Sequence, residues 1–209
     1  MRFVAWLLTA VSAALLAGGC GADEPAPGGS LRLAEEDLVS LVGVSPDATG
    51  WTWAAKPDPR EAPASAVAEW KPTLDLQKTY RDAQLAAGLV RTASTSWWDE
   101  GKKASSFADL YRTPEGARSA LAAGKAFAAE WFPSIEHREV EELDVGRLGD
   151  ARWAVRHGTD AAAFVEIGWV RGNAVLGVYV NCIPCESDLA TAARAWAEEV
   201  DAAAVAAAE

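Results

Sequence analysis

The sequence has few basic residues and few histidines, and each shortage argues against a class of function. Lysine and arginine together number 19 against 30 aspartates and glutamates, so the formal net charge is −11. Because proteins bind phosphate backbones through clusters of basic side chains, this charge balance argues against a nucleic-acid partner. The two histidines, His137 and His157, accompany no serine, cysteine or aspartate in a triad pattern, and we expect both at the surface.

The sequence also lacks the short motifs that mark common enzyme classes. It contains no nucleophile elbow, no phosphate-binding glycine loop, no dinucleotide-binding glycine pattern and no zinc-protease helix motif. An acidic run at Glu139, Glu141, Glu142 and Asp144 has neither the glycine nor the oxygen spacing of a calcium loop, and we interpret it as a solvated strand face. We therefore predict no catalytic residue, no bound metal and no cofactor.

Long hydrophobic runs are confined to the N-terminus. An apolar stretch from Phe3 to Leu16 follows the single charge of Arg2, and small residues then precede Cys20. This stretch is too short for a stable transmembrane helix and has the form of a secretory signal. We expect residues 1–19 to be a signal peptide, residues 20–31 a Gly/Pro-rich flexible tether, and residues 32–209 a single domain.

The junction Ala17-Gly18-Gly19-Cys20 resembles the lipobox of bacterial lipoproteins. The resemblance implies that Cys20 is acylated, becomes the first residue of the mature chain and anchors the domain to the outer face of the cytoplasmic membrane. The lipobox has leucine at the third position before the cysteine, whereas Leu16 lies one residue further back. Ordinary cleavage with a secreted, unlipidated product therefore stays open as an alternative.

Beyond the tether, the hydrophobic pattern predicts an α+β domain. Helical spacing of apolar residues predicts helices over residues 33–42, 74–87 and 113–133 and a last helix that Ser187 caps. Alternating residues predict a hairpin of strands over 89–98 and 104–111, then strands over 139–145, 152–157, 162–170 and 174–181. Tight turns between these about six strands favour a mostly antiparallel sheet with helices packed on it.

The ten tryptophans are the richest source of candidate binding residues. Adjacent strand residues point to opposite faces, so only one of Trp97 and Trp98 can enter a given core, and the other is either covered by a helix or exposed. A proline-rich stretch over residues 44–73, which we expect to be an ordered irregular wrap, carries three more. Exposed tryptophan can stack on a sugar or anchor a partner, and the candidate binding surface is Trp51, Trp53, Trp70, Trp97 and Trp98.

The motif Cys182-Ile183-Pro184-Cys185 lies between a predicted strand and a predicted helix. A thiolate at a helix N-terminus is stabilised by the helix dipole, and the local order is similar to that of the thioredoxin active site. No further strand follows to supply the cis-proline loop of thioredoxins, and an exported cysteine pair closes readily into a disulfide. We favour a structural disulfide between Cys182 and Cys185; redox activity is the alternative, and a single such pair is only half a zinc site.

The element order resembles that of the actinobacterial LpqN-like lipoproteins and of the extracellular sensor domains of PknH-like kinases. The residues that carry the resemblance are the corner at residues 111–117, the turn at 148–150, the hairpin at 170–175 and the alanine-rich last helix. The resemblance implies a two-layer sandwich, Mog1/PsbP-like or similar, that binds something in a cleft and catalyses nothing. Those sensor domains have two disulfides, whereas this chain can form only one, between near neighbours.

Three functions follow as hypotheses. The favoured one is an exported, membrane-anchored lipoprotein whose non-enzymatic binding or sensor domain recognises a small ligand or an envelope protein. The first alternative is a membrane-tethered thiol–disulfide protein that uses Cys182 and Cys185. The second alternative is a structural subunit of a cell-envelope complex with exposed aromatic residues as its contact.

Overall fold

The structure, a computed structural model, describes residues 31–53, 59–134, 140–159, 162–183 and 188–208. These ranges contain seven strands, which are β1 (Arg60–Pro63), β2 (Leu89–Asp99), β3 (Lys102–Tyr111), β4 (Val140–Glu142), β5 (Ala151–Thr159), β6 (Ala162–Arg171) and β7 (Ala174–Cys182). They also contain five α-helices, which are α1 (Asp37–Val42), α2 (Ala64–Glu69), α3 (Asp75–Ala86), α4 (Pro114–Ser134) and α5 (Leu189–Ala207). The strands form one sheet in the order β1-β2-β3-β7-β6-β5-β4.

The predicted α+β class with an antiparallel sheet and helices packed on it is confirmed, since every neighbouring pair of these strands is antiparallel. The sheet has seven strands rather than about six. The additional strand, β1, lies in the proline-rich stretch that we expected to be irregular, and it pairs with β2 from Arg60↔Ser94 to Pro63↔Arg91. Its edge position accommodates Pro63, which has no N–H to donate to a further strand.

One face of the sheet, here the closed face, is buried along the length of its inner strands. Side chains that alternate along β3, β7 and β6 form this core, among them Ala104, Ser106, Ala108, Val165, Ile167, Trp169, Leu176, Val178 and Val180. Helices α1 and α5 cover it, and Trp97 meets Trp196 of α5 edge to face with ring centroids 5.5 Å apart. Apolar burial of this extent is the main stabilising contribution to the fold.

The opposite face, here the open face, packs against α4, which in turn packs against α3. Val155 and Val175 of the sheet contact the apolar side of α4 that carries Ala117, Leu121 and Phe132. Thr113 caps α4 as predicted, because its Oγ1 accepts a hydrogen bond from the Gly116 N–H. Helices on both faces make three layers where the family resemblance implied two.

Helix α5 begins one residue later than predicted. The carboxylate of Asp188 accepts hydrogen bonds from the N–H groups of Ala190 and Thr191 and is the N-cap of this helix. Ser187, the predicted cap, lies outside the described residues.

Candidate functional site

The burial pattern of strand β3 indicates a cleft on the open face. Ala104, Ser106 and Ala108, on its closed face, are buried, whereas Lys103, Ser105, Phe107 and Asp109, on its open face, stay partly exposed. Strand β3 has neighbours on both sides in the sheet, so its side chains can be exposed only where the helical layer leaves a gap. Tyr179 of β7 and Glu166 of β6 are also partly exposed. We call this gap between the sheet and helices α3 and α4 the cleft.

The helical wall of the cleft is aromatic. Tyr80 of α3 stacks on Phe127 of α4 with ring centroids 4.7 Å apart, and Phe127 stacks on Trp131 with centroids 5.2 Å apart. All three side chains are partly exposed. The three stacked rings give the wall an aromatic, partly exposed surface.

The floor of the cleft is lowered by two glycines that pair across neighbouring strands, Gly168 and Gly177. The Phe107 ring occupies the place that a Cβ at position 177 would take, and a Cβ at position 168 would lie 2.8 Å from the Trp153 Nε1 atom. Any larger residue at either position would collide with an aromatic ring that lies flat on the strands. The glycines therefore set the depth of the cleft.

Glu166 is the charged group at the centre of the floor. It lies in one cross-strand row with Tyr179 and Ser105. Among the described residues, its carboxylate has no hydrogen-bond or ion-pair partner, and burial raises its pKa to about 7. Since the residue is nevertheless partly exposed, we conclude that it lies at the bottom of a narrow, water-accessible space.

A second partly exposed carboxyl lies on β3. Burial raises the pKa of Asp109 to about 6, and a hydrogen bond from Thr92 opposes the shift. The charges of both acids act on Tyr80: burial, then Asp109 and Glu166, raise the pKa of its phenol, while Gln84 lowers it.

A buried polar network fixes the position of the wall. The Tyr111 hydroxyl donates a hydrogen bond to Oε1 of Gln84, and Gln84 is near enough to Tyr80 to lower the pKa of its phenol. Both Gln84 and Tyr111 are buried, so this network links strand β3 to helix α3 away from solvent.

Lys103 and Trp98 lie at the mouth of the cleft. The Lys103 Nζ atom is 4.5 Å from the centroid of the Trp98 ring and 5.6 Å from that of Tyr179. Burial lowers the pKa of the Lys103 ammonium. Trp98 is 59% exposed, so it is a surface residue at this edge of the cleft.

The remaining candidate tryptophans lie elsewhere. Trp97 is buried on the closed face, and Trp51 and Trp53 pack on each other with centroids 5.7 Å apart against the closed-face core. Trp70 is 47% exposed where α2 is followed by α3. The five candidate tryptophans therefore do not form one surface. Among the five, only Trp98 borders the cleft.

The expected surface position of His157 is wrong. Its ring is buried between Phe132, with centroids 3.6 Å apart, and Phe164, with centroids 5.0 Å apart, because the last turns of α4 cover this end of β5. Cys182 is also buried. Cys20, His137, Glu139 and Cys185 lie outside the described residues, so the disulfide between Cys182 and Cys185 stays a prediction.

A depression of about 420 Å³ lies at the other end of the sheet, between residues 32–35, which precede α1, and strands β2 and β3. Its polar group Asn173 accepts a hydrogen bond from the Leu33 N–H and donates to the carbonyls of Leu33 and Tyr111. These bonds hold the start of the described chain in place, so the polar group of this depression has a structural role.

Sequence reasoning missed the residues of the cleft, namely Tyr80, Asp109, Phe127, Glu166 and Tyr179. The available indication was the single acid within the apolar run Phe164-Val165-Glu166-Ile167-Gly168-Trp169. A charged side chain within a buried strand requires a partner or a cavity.

Neither the helices nor the acidic, histidine and cysteine side chains of the described residues form a site of another kind. None of these helices is both long and apolar enough to cross a membrane. No group of three or more histidine, cysteine, aspartate or glutamate side chains in the described ranges could hold a metal ion.

No protein-family model matches the chain, and no curated protein matches it. Among solved structures, it is similar to the extracellular domain of PknH from Mycobacterium tuberculosis, with a TM-score of 0.54 and 14% identity over 83% of this chain and 100% of that one. A second similar structure, the Rv0999 ortholog from Mycobacterium smegmatis, has a TM-score of 0.40 and 14% identity over 83% of this chain and 98% of that one. At this identity, the likeness shows that this protein shares the α+β fold of the PknH extracellular domain.

Proposed function

We propose that this protein is an exported, non-enzymatic binding or sensor domain whose ligand occupies the cleft. The observation that carries the proposal is the Glu166 carboxylate, which is desolvated, unpartnered among the described residues and still accessible from the cleft. A charged group kept in that state costs folding free energy, which a protein tolerates mainly at functional sites. The cleft holds aromatic and charged groups without an arrangement of nucleophile and base, which favours binding over catalysis.

The fold likeness supports an exported location. The similar structure from M. tuberculosis is described as an extracellular domain, and the N-terminal segment of this chain has the form of an export signal. Both features favour a domain that acts outside the cytoplasm.

Anchoring through Cys20 is the further part of the proposal. The full chain and its Cys20→Ser variant, expressed in a bacterial host, should differ in detergent-phase partitioning and in the mass of the mature N-terminus. We expect the wild type in the detergent phase with an acylated Cys20 and the variant in the aqueous phase. Equal partitioning without a lipid mass on Cys20 would contradict anchoring and leave a secreted domain.

The alternatives receive less support. Reactive cysteines are partly exposed, and burial of Cys182 argues against the thiol–disulfide function. A structural subunit requires a continuous contact surface, whereas the exposed Trp70 and Trp98 lie at separate places.

The binding site is tested by adding a panel of small amines, alcohols and acids to the full chain in detergent and recording backbone amide shifts by NMR. We expect compounds that bind to shift the amides of Ser105, Phe127 and Tyr179. The variant Ser105→Trp should block binding by filling the cleft, and the control Ser40→Trp, at an exposed position of α1 on the other side of the sheet, should leave it intact. Shifts confined to the depression around Leu33 and Asn173, or no shifts at all, would overturn the proposal.

A further inference from the structure

We infer that the cleft takes a small organic cation, a protonated amine or a quaternary ammonium group, with its positive charge against Glu166 and its apolar part against the rings of Tyr80 and Phe127. This inference rests on the proposed function and names the ligand class of the same site.

The first argument is the missing counter-charge. Buried carboxylates are normally paired with a cation or satisfied by hydrogen bonds, and among the described residues Glu166 has neither. Lys125 of α4 is already paired, because it forms an ion pair at 2.9 Å with Glu142, which lies in the same cross-strand row as Glu166. Within the described chain, therefore, the positive charge that Glu166 lacks is left for a ligand to supply.

Lys103 does not supply that charge, since no ion pair joins it to Glu166 among the described residues. Its ammonium is held instead over the rings of Trp98 and Tyr179 at the mouth of the cleft, 4.5 Å and 5.6 Å from the ring centroids.

The second argument is the chemistry of the walls. The Tyr80 phenol is close enough to Glu166 for the carboxylate to raise its pKa, and it stacks directly on Phe127. Aromatic faces attract cations through their quadrupoles, so the face of Tyr80 that Phe127 does not cover and the Glu166 carboxylate would together stabilise an ammonium group. An anionic ligand would instead meet the negative charge of Glu166.

An inorganic divalent cation fits the cleft less well. Such ions require several oxygen ligands that converge on one point, and no group of three acidic, histidine or cysteine side chains does so among the residues described. A single carboxylate surrounded by rings matches a cation with one charge and an apolar surface.

The test compares choline with 3,3-dimethyl-1-butanol, which has the same shape without the charge. Both are titrated into the full chain in detergent at constant ionic strength, and affinities come from the amide shifts of Phe127 and Tyr179. We expect choline to bind at least several-fold more tightly than the alcohol. Glu166→Gln should weaken choline binding roughly tenfold, about 1.4 kcal/mol, and leave the alcohol unaffected.

Glu141→Gln is the matched control, because it makes the same change in charge at an exposed position of β4 and leaves the ion pair between Lys125 and Glu142 intact. This control should bind choline as tightly as the wild type does. If the Glu166→Gln variant still binds the alcohol, its cleft is folded. The inference would be overturned if the two compounds bound equally well, or if Glu166→Gln did not weaken choline binding. Either result would leave the proposed binding site in place. Absence of cleft shifts with these compounds and with the whole panel would overturn both.

Discussion

Phe107 lies flat on Gly177, in the place that a Cβ atom at position 177 would occupy. The two residues are paired across strands β3 and β7, so the contact is built into the register of the sheet. It explains how an aromatic side chain can cover the floor of the cleft without filling the space beneath α3 and α4.

Gly177→Ala should therefore lower the free energy of unfolding by about 1–3 kcal/mol, because the new methyl group forces the Phe107 ring off the floor. Urea unfolding measures the change. Gly124→Ala is the control: its Cβ would meet Tyr80 at an ordinary 3.9 Å, and alanine favours the helix, so we expect no loss of stability. A neutral Gly177→Ala would contradict the described packing of Phe107.

Glu166 should make the stability of the protein fall as the pH rises from about 5 to 8. Burial raises the pKa of Glu166 in the folded state to about 7, so between its unfolded and folded pKa values the folded state binds more protons. Protonated Glu166 contributes its full stabilisation at pH values below the pKa that it has in the unfolded chain. This contribution is lost as the pH rises through the folded-state pKa of about 7. Asp109, whose folded pKa is raised to about 6, acts in the same direction at lower pH.

Glu166→Gln should remove most of this dependence. At pH 8 we expect the variant to be more stable than the wild type by about 2 kcal/mol, after a discount for water that reaches the carboxyl. Thermal and urea unfolding at several pH values provide the comparison, with Glu141→Gln as the exposed control. A wild type whose stability rises over this range, with Glu166→Gln following it in parallel, would show that Glu166 is not desolvated.

The adjacent residues Trp97 and Trp98 should differ sharply in their contribution to stability. Trp97 is 1% exposed and packs on Trp196, so Trp97→Ala should cost about 3–5 kcal/mol. Trp98→Ala removes an exposed ring and its contact with Lys103, and should cost less than about 1 kcal/mol. Similar losses for the two variants in urea unfolding would contradict the assignment of faces.

The buried network behind the cleft wall gives a further prediction. Tyr111→Phe leaves the Gln84 Oε1 atom without its donor in a buried position, and we expect a loss of about 1–3 kcal/mol. Ser96→Ala, which breaks the partly buried bond between Ser96 and Ser105, should cost less. Equal and negligible losses in urea unfolding would indicate that the Tyr111–Gln84 bond does not stabilise the fold.

The fold was predictable from local sequence patterns to a large extent. Period-two alternation placed β2, β3 and β5–β7 within a few residues, and Thr113-Pro114 gave the start of α4, because these patterns depend on neighbours along the chain. Strand β1 was missed, since its pairing with β2 is a long-range contact and its sequence contains Pro63.

The site was less predictable because it arises from tertiary contacts. The tryptophan excess drew attention to Trp97 and Trp51, which serve the closed-face core, whereas the cleft depends on how far α3 and α4 stand from the sheet. His157 was misplaced for the same reason, since the sequence does not show that Phe132 covers it. Only the acid at position 166, within an apolar strand, was a local indication of the site.

The pKa of the Glu166 side chain, measured by carbon-detected NMR with and without choline, tests the central claim most directly. If the carboxylate lies unpartnered in a cleft that accepts a cation, its pKa should be about 7 in the free protein and should fall when choline binds. A pKa near the ordinary glutamate value of about 4.3, unchanged by choline, would contradict the account.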